Sequence, residues 1–182
     1  MTSGALVLID GGTTTLEVAR LLADRCRQDP AFTVTIVTNA VEIARLADTA
    51  NPRLKLWFVG GELRSESLDT MGTPAAQALR EQLDRGTLSR RRADIGFVGA
   101  TGISLAEGFC VRTSLERAIK AAMLELSDEK VVVADSTKFR PAYPGWHTFA
   151  PLSPDVIVIT NESETPPDDF HARVTLVFAP PV

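Results

Sequence analysis

Short apolar runs alternate along the chain with longer segments in which apolar residues recur at helical spacing. The first run, residues 6–9, is continuously aliphatic, and similar runs follow at 32–37 and 54–59. Continuous apolar runs of this length are typical of strands buried on both faces of a parallel sheet. The alternation of strands and helices therefore predicts an α/β fold with a mostly doubly wound parallel sheet and helices on both faces.

The same pattern predicts the succession of elements. We expect strands at residues 6–9, 32–37, 54–59, 93–98, 130–134, 156–160 and 174–178. We expect helices at residues 14–27, 41–47, 74–83 and 114–126. The remaining stretches, among them 62–72, 86–92, 99–104, Gly108, 141–149 and 166–167, are predicted as loops, turns or irregular connections.

Capping residues mark the predicted helix starts. Thr14 with Glu17, and Thr113 with Glu116, stand at capping-box spacing. The pair Thr73-Pro74 places an N-cap residue before a proline at the first helical position. The apolar stripe of the last helix is predicted to consist of Leu115, Ile119, Ala122, Met123 and Leu126.

The stretch after the first run carries the most distinctive chemistry. Gly11 and Gly12 permit a sharp turn and close approach of a ligand to the backbone, and three threonines at 13–15 open the helix. The first turn of a helix has unpaired N–H groups and partial positive charge, which favours an anion and above all a phosphate. An ordinary strand–turn–helix junction explains the same residues equally well.

The predicted strand ends carry glycine or hydrogen-bonding residues five times. Ligands bind beyond the carboxyl ends of parallel strands, so these ends suggest a site for a polyhydroxylated, phosphorylated ligand, although turns need such residues anyway. We expect residues 12–15 to hold the phosphate and Asp10 to orient the loop. Asn39, Gly61, Thr101 and Lys138 are expected to contact the rest of the ligand. The predicted ligand-binding residues are Asp10, Gly11, Gly12, Thr13, Thr14, Thr15, Thr38, Asn39, Gly60, Gly61, Gly99, Thr101, Gly102 and Lys138.

Composition narrows the class of protein. The 182-residue chain is 45% hydrophobic, enough for one folded domain, and its net charge of −4 argues against binding nucleic acid by itself. We find no membrane-spanning run and no secretory signal, and Cys26 and Cys110 are expected to be reduced thiols in the cytoplasm. No P-loop or GxGxxG follows a strand, and His147 and His171 lack metal-ligand spacing, so we expect neither cofactor nor metal.

Five motifs occupy the predicted strand ends. They are Asp10-Gly11-Gly12-Thr13-Thr14-Thr15, Val37-Thr38-Asn39-Ala40, Gly60-Gly61-Glu62-Leu63-Arg64, Gly99-Ala100-Thr101-Gly102-Ile103-Ser104 and Ala134-Asp135-Ser136-Thr137-Lys138-Phe139. Together and in this order they resemble the C-terminal effector-sensing domain of DeoR-family transcriptional repressors, over residues 6 to about 161. The resemblance implies the sheet fold of ribose-5-phosphate isomerases and CoA transferases, and a bacterial, cytoplasmic homo-oligomer that binds a phosphorylated sugar or related effector.

In the resembled family, ligand binding alters the grip of an N-terminal winged helix on operator DNA. This chain opens almost directly on the first predicted strand, without that winged helix and without the helix that usually precedes the strand. We therefore interpret residues 1–182 as a single sensor domain without catalysis. DNA binding is assigned to the absent N-terminal module.

The shared fold makes a sugar-phosphate isomerase the alternative function. Such an enzyme needs a carboxylate to move a proton between adjacent carbons, and related isomerases carry two acidic residues where residues 99–104 have hydroxyls. Glu116 resembles the position of the isomerase base, but its capping role explains it as well. Asp135 and Lys138 form either an acid–base pair or a strand-end turn with a ligand-binding lysine.

Two further hypotheses concern surfaces. A pure oligomerisation domain predicts no ligand affinity at all. Arg112 and Lys120, near the predicted helix start, are expected to be solvated, and the arginine run at 90–92 is interpreted as a solvated loop beside acidic residues.

Overall fold

The fold is described from a computed structural model, which describes residues 1–46, 51–84, 88, 90–161 and 168–179. Twelve strands and four α-helices occur in these ranges. In chain order they are β1 (Ala5–Ile9), α1 (Thr13–Gln28), β2 (Val34–Thr38), α2 (Val41–Ala44), β3 (Leu54–Phe58), β4 (Leu63–Arg64), β5 (Asp69–Thr70), α3 (Gly72–Asp84), β6 (Ala93–Gly99), β7 (Gly102–Ser104), β8 (Gly108–Val111), α4 (Ser114–Glu125), β9 (Ser127–Val133), β10 (His147–Ala150), β11 (Val156–Asn161) and β12 (Thr175–Ala179).

The main sheet has seven strands in the order β12-β11-β9-β6-β1-β2-β3, and every neighbouring pair is parallel. The chain starts at β1 in the middle, builds outward through β2 and β3, and then returns to place β6 on the other side of β1. The predicted α/β class and parallel sheet are confirmed. The order of the strands reverses between β1 and β6, and the carboxyl ends of all seven point to one edge.

Both faces of the sheet are buried, which explains the unbroken apolar run of β1. Leu6 and Leu8 pack with α3 and α4 on one face, whereas Val7 and Ile9 pack with α1 and α2 on the other. All four are at most 3% exposed. Each such aliphatic side chain contributes roughly 1.5–3 kcal/mol by leaving water.

The start of α1 differs from the prediction. The helix begins at Thr13, its N-cap is Gly12, and no side chain caps it. The predicted capping box of Thr14 and Glu17 is therefore wrong. Glu17 pairs instead with Arg20, one turn further along the exposed face. The first N–H groups of α1 consequently remain without a side-chain partner.

The predicted starts of α3 and α4 agree more closely with the structure. The capping box of Thr113 and Glu116 is confirmed at α4. α3 begins at Gly72, one residue before the predicted cap Thr73. Leu115 is 52% exposed, so its place in the predicted buried stripe of α4 is wrong, whereas Lys120 takes a buried position on that helix.

The antiparallel strands were predicted as loops. Residues 62–72 contain the β4–β5 hairpin, and β7, β8 and β10 form a second sheet in the order β10-β8-β7. Strands of two to four residues are too short to show alternation, and the glycines that open β7 and β8 resemble turn residues.

Some predictions fall on residues that the structure does not describe. The inward-facing Ala47, the glycine at 86 and the irregular pair at 166–167 lie outside the described residues.

Arg90 and Arg92 pair with Asp94 and Asp128, so both arginines make surface ion pairs. Of the described helices, none combines the length and apolar character that a membrane span requires.

Candidate functional site

A cleft lies over the carboxyl ends of β1, β6 and β9, beside the point where the strand order reverses. Ligands of open α/β sheets bind at such a point. The cleft has a volume of about 210 Å³, and sites for drug-sized ligands span roughly 300–1,000 Å³, so it suits a small metabolite. It is lined by Gly11, Gly12, Thr13, Thr14, Thr15, Gly99, Ala100, Thr101, Lys120, Val133, Ala134, Asp135 and Lys138.

The N-terminus of α1 forms one wall of the cleft. Gly12 adopts φ +156° and ψ 156°, a backbone conformation that side chains disfavour, and so turns the chain directly into the helix. Thr13 and Thr14 are exposed there, whereas the buried Thr15 donates its hydroxyl to the Gly12 carbonyl over 3.0 Å. An uncapped helix start beside two exposed hydroxyls can donate several hydrogen bonds to one anion.

A buried ion pair forms the floor of the cleft. Asp10, 1% exposed, accepts a hydrogen bond from the Gly99 N–H over 3.0 Å and pairs with the Lys120 ammonium. Burial lowers the pKa of Lys120 from 10.5 to about 7. The predicted solvated position of Lys120 is wrong, because the residue is only 8% exposed. No local feature of the sequence signals this burial.

Asp135 and Lys138 stand on the opposite wall, on a short 3-10 helix over Ser136–Lys138. Asp135 caps that helix by accepting from the Thr137 N–H over 3.0 Å, and the Lys138 Nζ lies 3.5 Å from its second carboxylate oxygen. Partial burial raises the pKa of Asp135, but the hydrogen bonds from Thr137 and the charge of Lys138 outweigh it, so the pKa stays below its usual value. Sequence reasoning named Lys138 as a ligand residue and left Asp135 out.

Most of the predicted ligand-binding residues meet at this cleft. Asp10 lies directly beneath it, where it holds the Gly99 amide. The predicted residues that line the cleft are Gly11, Gly12, Thr13, Thr14, Thr15, Gly99, Thr101 and Lys138.

The predicted residues that follow β2 and β3 do not line the cleft. The Thr38 hydroxyl accepts from the Ala40 N–H, and the Asn39 side-chain amide donates to the Thr70 carbonyl over 2.8 Å. Gly60 and Gly61 are exposed, and a β-carbon at Gly61 would lie 3.4 Å from Thr70 of the hairpin. The remaining predicted residue, Gly102, lies under a tryptophan: a β-carbon there would stand 2.3 Å from the ring of Trp146.

The β4–β5 hairpin separates those strand ends from the cleft. The Asn39 carbonyl accepts from the Thr70 N–H over 2.8 Å, which fixes the hairpin over the end of β2. The carboxylate of Asp69 then packs onto Gly11, where a β-carbon would lie 2.2 Å from Asp69 Oδ1. Burial, supported by the negative charge of Glu116, raises the pKa of Asp69 from 3.8 to about 6, although Ser67 and Arg64 oppose the rise.

This raised pKa makes the stability pH-dependent. Asp69 binds a proton more tightly in the native protein than in the unfolded chain. Its protonation therefore stabilises the fold below pH 4, and this stabilisation is lost as the pH rises through 6. Asparagine does not titrate. We therefore expect the free energy of unfolding of Asp69→Asn, relative to that of wild type, to rise by about 1–2 kcal/mol between pH 4.5 and pH 7. Urea unfolding at both pH values measures this difference. The exposed Asp155→Asn serves as the control and should show no such gain; an equal gain in both variants contradicts the assignment.

Glu116, the residue that resembles an isomerase base, points its carboxylate back at its own helix start. It accepts from the Thr113 and Arg112 N–H groups over 3.2 and 3.1 Å. It is absent from the lining of the cleft, and its carboxylate lies 4.0 Å from the Arg64 guanidinium. Within the described ranges, no group of three or more metal-ligating side chains lies together.

The fold defines the class of protein first. A ribose-5-phosphate isomerase A from Methanocaldococcus jannaschii is similar in fold, with a TM-score of 0.50 and 17% identity over 77% of this chain and 48% of that one. A D-ribose-5-phosphate isomerase in complex with phospho-erythronic acid gives a TM-score of 0.52, at 11% identity over 77% of this chain and 48% of that one. The chain therefore has the isomerase-like α/β fold that the sequence predicts.

The sequence then defines the family. A family model described as the DeoR C terminal sensor domain matches residues 1–162, so the chain belongs to the DeoR family of transcriptional regulators. The transcriptional repressor AccR of Agrobacterium fabrum is 31% identical over 75% of this chain and 47% of its own length. The HTH-type transcriptional regulator IolR of Bacillus subtilis is 29% identical over 92% of this chain and 59% of its own length. The chain thus spans about half the length of these relatives.

Proposed function

We propose that the cleft binds a phosphorylated sugar or a related small metabolite, and that this binding regulates transcription rather than serving catalysis. In the full-length regulator, occupancy of the cleft shifts an equilibrium between sensor conformations, and so changes DNA binding by an N-terminal domain. The protein acts in the cytoplasm as a homo-oligomer. The proposal deepens the family assignment by naming the site and the chemistry of its ligand.

One observation carries the proposal: the uncapped N-terminus of α1 opens into a cleft that also contains two lysines. A phosphate there accepts from the first backbone N–H groups of the helix and from the hydroxyls of Thr13 and Thr14. Lys138 reaches the same space from the opposite wall. The small residues Gly99 and Ala100 leave room for the rest of the ligand.

Calorimetric titration with ribose 5-phosphate, fructose 6-phosphate and inorganic phosphate tests this site. Because a hydrogen bond to a charged group is stronger than a neutral one, we expect Lys138→Ala to weaken binding about tenfold and Thr14→Ala about threefold. The exposed Lys55→Ala, on β3, removes an equal charge away from the cleft and should bind as wild type does. Absence of binding for all three ligands at millimolar concentration contradicts the proposal and favours a pure oligomerisation domain.

The isomerase alternative makes a separate prediction. It requires turnover of a sugar phosphate that depends on Glu116, whose carboxylate is engaged in the capping box. A coupled assay on protein that binds ribose 5-phosphate distinguishes the two functions. We expect binding without turnover, and turnover abolished by Glu116→Gln would establish the enzyme.

A further inference from the structure

We propose that Asp135 is a specificity-determining residue of the cleft: it accepts hydrogen bonds from ligand hydroxyls and excludes ligands that carry a second phosphate. The inference rests on the proposed function, since it concerns the same cleft.

The charges of the cleft are already balanced. Both lysines that line it have a carboxylate partner: Lys120 pairs with Asp10 beneath the floor, and Lys138 lies 3.5 Å from Asp135. Each lysine therefore has a carboxylate beside it, and the side walls carry no surplus positive charge. The positive potential that remains is the partial charge at the start of α1, which suits one phosphate group.

Asp135 lines the cleft as a fixed hydrogen-bond acceptor. Its Oδ1 accepts from the Thr137 N–H and hydroxyl, which holds the carboxylate in one orientation. Its Oδ2 is 3.5 Å from Lys138 Nζ, and the side chain remains 43% exposed. An ionised carboxylate accepts hydrogen bonds and donates none, so a sugar hydroxyl suits it and a phosphate oxygen is repelled.

The capping role of Asp135 explains its bonds to Thr137, but it does not require a negative charge. Asparagine caps helix starts as well as aspartate does, because its amide oxygen accepts from the same N–H. Asp135→Asn therefore keeps the cap and removes the charge that faces the cleft. Asp155→Asn makes the same change on an exposed residue just before β11, at the opposite edge of the sheet.

The test compares wild type with both variants by calorimetric titration, using inorganic phosphate, fructose 6-phosphate and fructose 1,6-bisphosphate. We expect wild type to bind the monophosphate at least about tenfold more tightly than the bisphosphate. Relative to inorganic phosphate, Asp135→Asn should weaken fructose 6-phosphate about tenfold, and it should reduce or invert the preference over the bisphosphate. Asp155→Asn should match wild type in all three titrations.

The outcomes separate the inference from the function on which it rests. If wild type binds neither phosphate nor either sugar phosphate, the proposed function fails. If wild type binds phosphate in a manner that depends on Lys138, but Asp135→Asn changes mono- and bisphosphate affinity equally or not at all, only the role of Asp135 is overturned. Equal affinity of wild type for the two fructose phosphates overturns it as well. Thermal unfolding within about 2 °C of wild type confirms that the variant retains its fold.

Discussion

Replacing Lys120 by methionine should destabilise the protein by about 3–5 kcal/mol, because it leaves the Asp10 carboxylate charged and buried without its cation. Asp10 is 1% exposed, and among the described residues its carboxylate keeps the Gly99 N–H as its hydrogen-bond donor. Methionine fills nearly the volume of the lysine stem, so the loss reports the charge rather than a cavity. Chemical unfolding at pH 6, below the pKa of Lys120, measures the effect.

The double variant Asp10→Asn/Lys120→Met provides the control. The introduced amide would retain an oxygen that accepts from the Gly99 N–H, and no uncompensated charge would remain, so the double variant should recover most of the lost stability. A loss of less than about 1 kcal/mol in the single variant, or an additive loss in the double, contradicts the assignment of a coupled ion pair.

Gly108→Ala should be the second strongly destabilising change, at roughly 2–5 kcal/mol. Gly108 adopts φ +86°, and a β-carbon there would lie 2.5 Å from the Ala150 carbonyl oxygen and 3.0 Å from Pro151 Cα. Both contacts are to backbone, so relief requires β8 and β10 to move apart. The variant thus tests the antiparallel sheet that the sequence pattern did not predict.

Gly145→Ala separates the cost of the positive φ from the cost of the clash with the backbone. Gly145 has nearly the same φ, +87°, but a β-carbon there meets nothing within 4 Å. Gly145→Ala should therefore lose only about 1–2 kcal/mol of stability, which is the cost of placing a side chain in the left-handed backbone region. Urea unfolding of both variants gives the difference, and equal losses would show that β8 and β10 do not approach as described.

The centre of the main sheet was predictable because strands such as β1, β2 and β6 are buried on both faces, whereas the edge strands β3 and β12 are partly exposed. Burial on two sides demands four or more aliphatic residues in succession, as in β1 and β11, and few other elements produce that pattern. The small antiparallel strands have at most four residues each, and β7 and β8 open on glycine, so their residues resemble turns. The hairpin β4–β5 has two residues in each strand and shows no period at all.

The site was predictable in part for a related reason. All carboxyl ends of a parallel sheet share one edge, but they do not share one cavity. The ends of β1, β6 and β9 meet, whereas Asn39 and the glycines after β3 are taken up by the hairpin, whose position follows from long-range hydrogen bonds. Lys120 escaped notice because nothing local distinguishes a buried lysine from a solvated one, and its partner Asp10 is 110 residues away.

The contact between Asp69 and Gly11 couples two parts of the molecule mechanically. The hairpin is anchored through Thr70 to the ends of β2 and β3, and its Asp69 carboxylate occupies the space that a side chain at Gly11 would need. The glycine turn therefore cannot shift toward β5 without pushing the hairpin ahead of it. A displacement of that turn toward β5 would therefore move the whole hairpin, including Leu63, which pairs with Thr70 and is 49% exposed.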